Sequence, residues 1–326
     1  MLASSRALKA NRLDAAIARC DQALALSHGF EKPDARYSRS QVLRAEIYMW
    51  QKRDDLAEKC FHGAVASCEA EAGPDSAEMI YPLSSLGNYY YYYEVHLDRV
   101  AALNERILGI IAREKSPNEH DVIIWSRNLA IVYQQMGRFD LAEPLYAAAV
   151  THAEKAVPDW LPHELLTEAA FYRAWGKFSQ AEPLASRALA IRERSLAIVP
   201  SVDTKLDTSV ALDELGAIYL ASGRPEKAED AYRRSLEIDE SFMTEDQADL
   251  LPRITGLASA LLVRHKYPEA ESLLAKAVAI TRQNFPVDSP EVKQAEATAA
   301  ALKEEMGKGK GSTPAASEHV ALASRS

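Results

Sequence analysis

Gly137-Arg138-Phe139-Asp140-Leu141-Ala142-Glu143-Pro144-Leu145-Tyr146, closed by Ala149, is a phrase that this chain repeats. A small residue is followed two positions later by an aromatic, three later still by Ala, and then by a large and another small residue. Gly176-Lys177-Phe178-Ser179-Gln180-Ala181-Glu182-Pro183-Leu184 with Ala188 is a second copy, and Gly223-Arg224-Pro225-Glu226-Lys227-Ala228 with Tyr232 and Ser235 a third. Weaker copies centre on Ala270, Ala57 and Ala16. Twelve residues before the central Ala another small residue recurs, usually followed three later by Tyr. It stands at Ala45 (Tyr48), Ala130 (Tyr133), Ala169 (Tyr172), Gly216 (Tyr219) and Ala258 (Leu261). Leu86-Gly87 with Tyr90 opens a degenerate copy. Its anchor, Val100, comes one residue late, as if the run Tyr89 to Tyr93 held an insertion.

The anchors Ala16, Ala57, Val100, Ala142, Ala181, Ala228 and Ala270 are separated by 41, 43, 42, 39, 47 and 42 residues. A near-constant period of this length marks a repeat architecture. Within each copy apolar residues recur at three- and four-residue steps, the signature of two amphipathic helices. Gly137, Gly176 and Gly223 fall where the first helix must end, a place that favours a left-handed residue. Pro144 and Pro183 lie early in the second helix, where some backbone N–H groups have no intrahelical partner. The small residues mark close helix crossings, and the aromatics fill the space between one repeat and the next.

These phrases resemble the tetratricopeptide (TPR) repeat. The spacing near 42, with Ala142-Glu143-Pro144-Leu145-Tyr146, Asn128-Leu129-Ala130 and Ala188-Leu189-Ala190-Ile191-Arg192-Glu193, is similar to the kinesin-light-chain type. The resemblance implies an all-α fold: a right-handed superhelical solenoid of about seven antiparallel helix pairs with a C-terminal capping helix. Residues 1–286 are the expected array, 287–306 the capping helix and 307–326 a flexible tail rich in Gly, Ser, Ala and Pro. A helix over Leu2 to Ala10 would complete the first pair.

Composition narrows the function. Thirteen glycines in 326 residues, with 48% hydrophobic and 26% charged residues, exclude collagen-like and disordered classes. A net charge of −9 argues against nucleic acid as a partner, since phosphate neutralisation needs a basic footprint. No apolar run is long enough for a membrane helix. Charges scattered through Met1 to Cys20 break any leader core, so a cytoplasmic location is expected. Cys20, Cys60 and Cys68 read as small buried hydrophobes rather than a disulfide framework. No phosphate loop, zinc-protease pair or nucleophile elbow occurs, so no catalytic residue, metal or cofactor is expected.

Surface recognition of a protein or peptide partner is what remains. The resemblance places the first helix of each pair along a concave groove. Counted from the anchors, the groove positions hold Arg39, Glu46, Asn88, Tyr91, Tyr92, Arg127, Asn128, Gln134, His163, Arg173, Asp213 and Glu214. Arg and Tyr are favoured at binding hot spots, and Asn and Gln can pair with an extended backbone. For Asn128 a bond to a neighbouring helix competes with ligand contact. The charges turn from basic in the middle to acidic at Asp213-Glu214, which suits a mixed-charge peptide. The expected role is a non-enzymatic scaffold or adaptor. The alternative is a sensor or regulatory repeat region, with its catalytic or DNA-binding part on an upstream segment or a separate chain.

Overall fold

Low glycine and abundant Ala, Leu and Glu favour helix, and helix is what the sequence forms. The computed structural model describes residues 13–22, 25, 35–94, 96–242, 248–290, 292–293, 295–297, 299–300 and 304. The expected helix over Leu2 to Ala10 and the tail at 307–326 lie outside them. Residues 13–22 are helical. Six antiparallel pairs follow among the described residues. In chain order they are α1 (Ala35–Trp50) with α2 (Asp54–Ala72), α3 (Ile80–Tyr89) with α4 (Leu97–Ile111), and α5 (Glu119–Gln135) with α6 (Phe139–Ala156). Then come α7 (Leu161–Ala174) with α8 (Phe178–Ile198), α9 (Val202–Ala221) with α10 (Pro225–Glu240), and α11 (Leu251–Val263) with α12 (Tyr267–Asn284). The helices group into two units, Met1–Val157 and Pro158–Ser326.

The same turn joins most pairs. Gly137, Gly176 and Gly223 have φ of 71°, 77° and 73°, the left-handed residue expected of each. The next residue donates its N–H to the carbonyl five positions back: Arg138 to Tyr133, Lys177 to Tyr172 and Arg224 to Tyr219, each at 2.8 Å. This satisfies one of the orphan carbonyls at the helix end. The donor's side chain then lies over the ring it faces, with Arg138 5.3 Å from Tyr133 and Arg224 4.8 Å from Tyr219. Such cation–π contacts contribute about 0.5–1 kcal/mol at exposed sites.

Lys52 and His265 make the same turn without glycine, at φ 58° and 59°. A side chain there costs about 1–2 kcal/mol relative to Gly. Lys52→Gly is therefore expected to stabilise the first unit by about 1 kcal/mol. The urea midpoint of the variant checks this.

The anchors sit at the crossings. Ala57, Ala142, Ala181, Ala228 and Ala270 are fully buried and Val100 is 4% exposed, while Ala16 is half-buried. The late anchor of the second pair has a structural cause. Helix α3 widens into a π turn at Tyr90–Glu94, which absorbs one extra residue without breaking the helix. Tyr89 and Tyr90 are buried there, whereas Tyr92 and Tyr93 point to solvent. Of the expected cap at 287–306, residues 292–293, 295–297 and 299–300 are helical and include the buried Val292, and Glu296 accepts from Arg282 of α12 at 2.6 Å. None of the three cysteines is paired; Cys20 and Cys68 are buried, Cys60 is half-buried, and burial raises all three thiols.

Candidate functional site

A helix that packs on one side shows its other side at steps of four, three and four residues. On α1 those steps give Arg39, Leu43, Glu46 and Trp50, all exposed, while the packing face holds Val42, Ala45, Ile47 and Tyr48. Along α3 and its π turn the same steps give Tyr81, Ser85, Asn88 and Tyr92. On α5 they give Ile124, Asn128, Ile131 and Gln135. First helices α1 and α3 touch one another, and the charges of Arg39 and Glu46 both act on the Tyr81 hydroxyl, whose pKa burial raises.

This face is unusual for a solvated surface. Trp50 is 70% exposed and Tyr92 72%, with Leu43 and Tyr81 about half exposed. A contiguous apolar surface left in water marks a binding site more often than chance. Of the residues singled out from sequence, Arg39, Glu46, Asn88 and Tyr92 are exposed on these first helices and the turn that follows α3. Tyr91 is half-buried and accepts a hydrogen bond from Gln135 at 2.6 Å. Gln134 accepts from Tyr146 at 2.8 Å, which ties α5 to α6. Arg127 and Asn128 are half-buried on α5.

The second unit is built differently. On α7 the half-buried Thr167 and Ala170 and the exposed Ala174 follow the exposed His163, while α9 exposes Val202, Leu206 and Val210 ahead of the half-buried Glu214, Ala217 and Ala221. Arg173, Asp213 and Glu214 come together, but as structure. The Arg173 guanidinium grips Glu214 with Nε–Oε1 at 2.7 Å and Nη2–Oε2 at 3.2 Å, joining α7 to α9. Arg253 of α11 lies between two carboxylates, 2.9 Å from Asp213 and 2.8 Å from Asp239. Its Nη1 donates to the Asp249 carbonyl at 2.7 Å. Ser235 donates to Asp213 at 2.5 Å. The acidic end expected of the groove is therefore largely neutralised inside the fold.

Burial pushes Asp213 up to about 7, against the pull of Arg253 and Ser235. Burial raises Asp239 as well, against the pull of Ser209 and Arg253. Nearby, Glu229 of α10 is held down to about 2: burial raises it, but Lys266, Arg233 and Arg264 outweigh that. Lys266 stands 2.9 Å from it, Arg233 2.8 Å, and Arg264 is a third partner.

Three residues of the open face were not singled out from sequence: Leu43, Trp50 and Tyr81. Continuing the four-three-four step from Arg39 reaches Leu43 and Trp50, and the 42-residue offset from Arg39 reaches Tyr81. Weighting polar types hid them. Among the described residues, no group of three or more His, Cys, Asp or Glu is placed to hold a metal ion. No helix among them is long and apolar enough to cross a membrane.

Tetratricopeptide repeat models match residues 121–194, 169–241 and 253–291. No curated protein matches the chain. BtubC (BKLC) from P. vanneervenii is a solved structure of similar fold. It is 16% identical, with 83% of this chain and 94% of that one covered, at a TM-score of 0.55. A putative kinesin light chain of Podospora anserina with nearly identical TPR-like repeats is 21% identical, covering 65% and 99%, at 0.53. Aspartyl phosphate phosphatase F from Bacillus subtilis is 14% identical, covering 83% and 72%, at 0.51.

Proposed function

The chain is a tetratricopeptide repeat protein, and from that premise we propose that it is a non-enzymatic scaffold whose first-helix face holds an extended peptide of a partner protein. The family typically mediates protein–protein interaction, and its fold is usually non-catalytic. One observation carries the finer reading: Leu43, Trp50, Tyr81 and Tyr92 are left in water along two touching helices, beside Arg39, Glu46 and Asn88. Rigid aromatic side chains give large contact area at low entropic cost, with polar neighbours fixing register. The partner segment would bring apolar side chains to the rings and backbone amides to Asn88 and Asn128. We assign the array to residues 1–286 and the cap to 287–306.

The test compares two double variants for capture of a partner by the purified chain, with mass-spectrometric identification. Trp50→Ala with Tyr92→Ala is expected to weaken capture at least tenfold while the helical circular dichroism is unchanged. Losing two hot-spot rings costs about 2 kcal/mol or more, and 1.4 kcal/mol is tenfold. Arg127→Ala with Asn128→Ala should weaken it less, since both are half-buried. Undiminished capture by the aromatic variant would move the site off this face.

A further inference from the structure

The second unit carries a cluster of buried ionisable groups that the binding face does not use. Asp213 lies on α9, Asp239 on α10 and Arg253 on α11, so the arginine joins the α11/α12 pair to the α9/α10 pair. Both carboxylates approach the same nitrogen, Nε, at 2.9 and 2.8 Å. Arg253 is 6% exposed and Asp239 is fully buried. The second nitrogen, Nη2, is spent on the Ser209 hydroxyl at 3.3 Å, and Nη1 on a backbone carbonyl. Two carboxylates around one guanidinium leave one negative charge without a counter-charge, and a low-dielectric interior relieves that by taking up a proton.

We propose that Asp213, Asp239 and Arg253 form a proton-operated latch, which seats the α11/α12 pair firmly on α9/α10 while the two aspartates share a proton and loosens when the proton leaves. The groups around Asp213 set where this happens. On its own helix Glu214 is tied to Arg173 of α7. From α10 come Tyr232, Ser235 and Asp239, and from α11 Arg253; Asp249, just before α11, adds negative charge near Asp239. On α8, Arg192 is taken by Asp207 and Glu182 by Arg224. Burial is the largest influence on Asp213 and lifts it from 3.8 to about 7, so the proton leaves within the physiological range.

The direction follows from proton linkage. Between about pH 4 and pH 7 the folded chain keeps a proton that the unfolded chain has lost, so stability falls as pH rises; above pH 7 the loss is complete. Glu229 works the other way, but only as pH falls from 4.5 towards 2. The test is the melting temperature of the full chain at pH 5.5 and pH 8.0, for wild type and Asp213→Asn. Wild type is expected to melt roughly 5 °C lower at pH 8.0. Asp213→Asn, which keeps the neutral form, should lose at least half of that difference and should not melt below wild type at pH 8.0. An unchanged pH difference in the variant overturns the latch. Carbon-13 NMR of the Asp213 carboxyl in the wild-type chain is a second reading, independent of any variant. A midpoint between pH 6 and 8 supports the proposal, and one below pH 5 overturns it.

Discussion

Tyr232→Ala is expected to destabilise the second unit by about 3–5 kcal/mol, the range for deleting a large buried aromatic, while Gly256→Ala, a single added methyl, costs up to about 2 kcal/mol. Both numbers come from one contact. The Tyr232 ring, 7% exposed, projects from α10 between Gly216 of α9 and Gly256 of α11. A Cβ built on Gly256 would stand 2.5 Å from the ring carbons Cε1 and Cζ, and one on Gly216 2.8 Å from the same Cζ. The ring cannot retreat from one glycine without striking the other. Overpacking of this kind costs about 1–3 kcal/mol, offset by the roughly 1 kcal/mol that Ala gains over Gly within a helix. The sign should therefore reverse in the Tyr232→Ala background, where Gly256→Ala becomes stabilising by up to about 1 kcal/mol. Urea unfolding of the four proteins in the cycle checks it. Additive single effects would show that ring and glycine do not meet.

Arg253→Met should destabilise by about 3–5 kcal/mol at pH 8, because it leaves Asp213 and Asp239 facing one another in the interior without their cation. The loss comes from the carboxylates left behind rather than from the pair itself. Adding Asp213→Asn and Asp239→Asn to Arg253→Met should recover most of it, since an uncharged cluster has no ion to desolvate. Lowering the pH should soften the single variant in the same way. Guanidinium denaturation at pH 8 and pH 5.5 reads both effects. A single variant as stable as wild type at pH 8 would mean that the ion pairs contribute little.

The repeat was legible because its signals are local. Gly137, Gly176 and Gly223 mark turns that only a left-handed residue can make, and the fully buried anchor alanines from Ala57 to Ala270 mark close crossings. Even the late anchor at Val100 pointed to an extra residue, which the π turn at Tyr90–Glu94 takes up. Lys52 and His265 were not legible as turn residues, because they take a positive φ that their side chains disfavour, in turns closed by the backbone bonds Arg53 to Tyr48 and Lys266 to Leu261. Gly256 also passed unnoticed. Its role depends on Tyr232, twenty-four residues earlier, and no local pattern links the two.

The candidate face divides in the same manner. Helical spacing placed Arg39, Glu46, Asn88 and Tyr92 on the open side of the first unit. It could not tell an open position from its neighbour on the rim, so Tyr91, Gln134 and Arg173 turn out to bind other helices. Nor could it find Arg253, the cation that answers Asp213 from forty residues away. Long-range charge pairing leaves no periodic trace.

Site-specific photocrosslinking tests the central claim most directly. A photoreactive phenylalanine is placed at Leu43 or Asn88, on the first-helix face, or at Lys59 or Asp230, exposed on second helices. After capture of the partner, the account predicts a discrete crosslinked product from Leu43 and Asn88 and none from Lys59 or Asp230. Crosslinks confined to the second helices, or equally strong from all four positions, would contradict it.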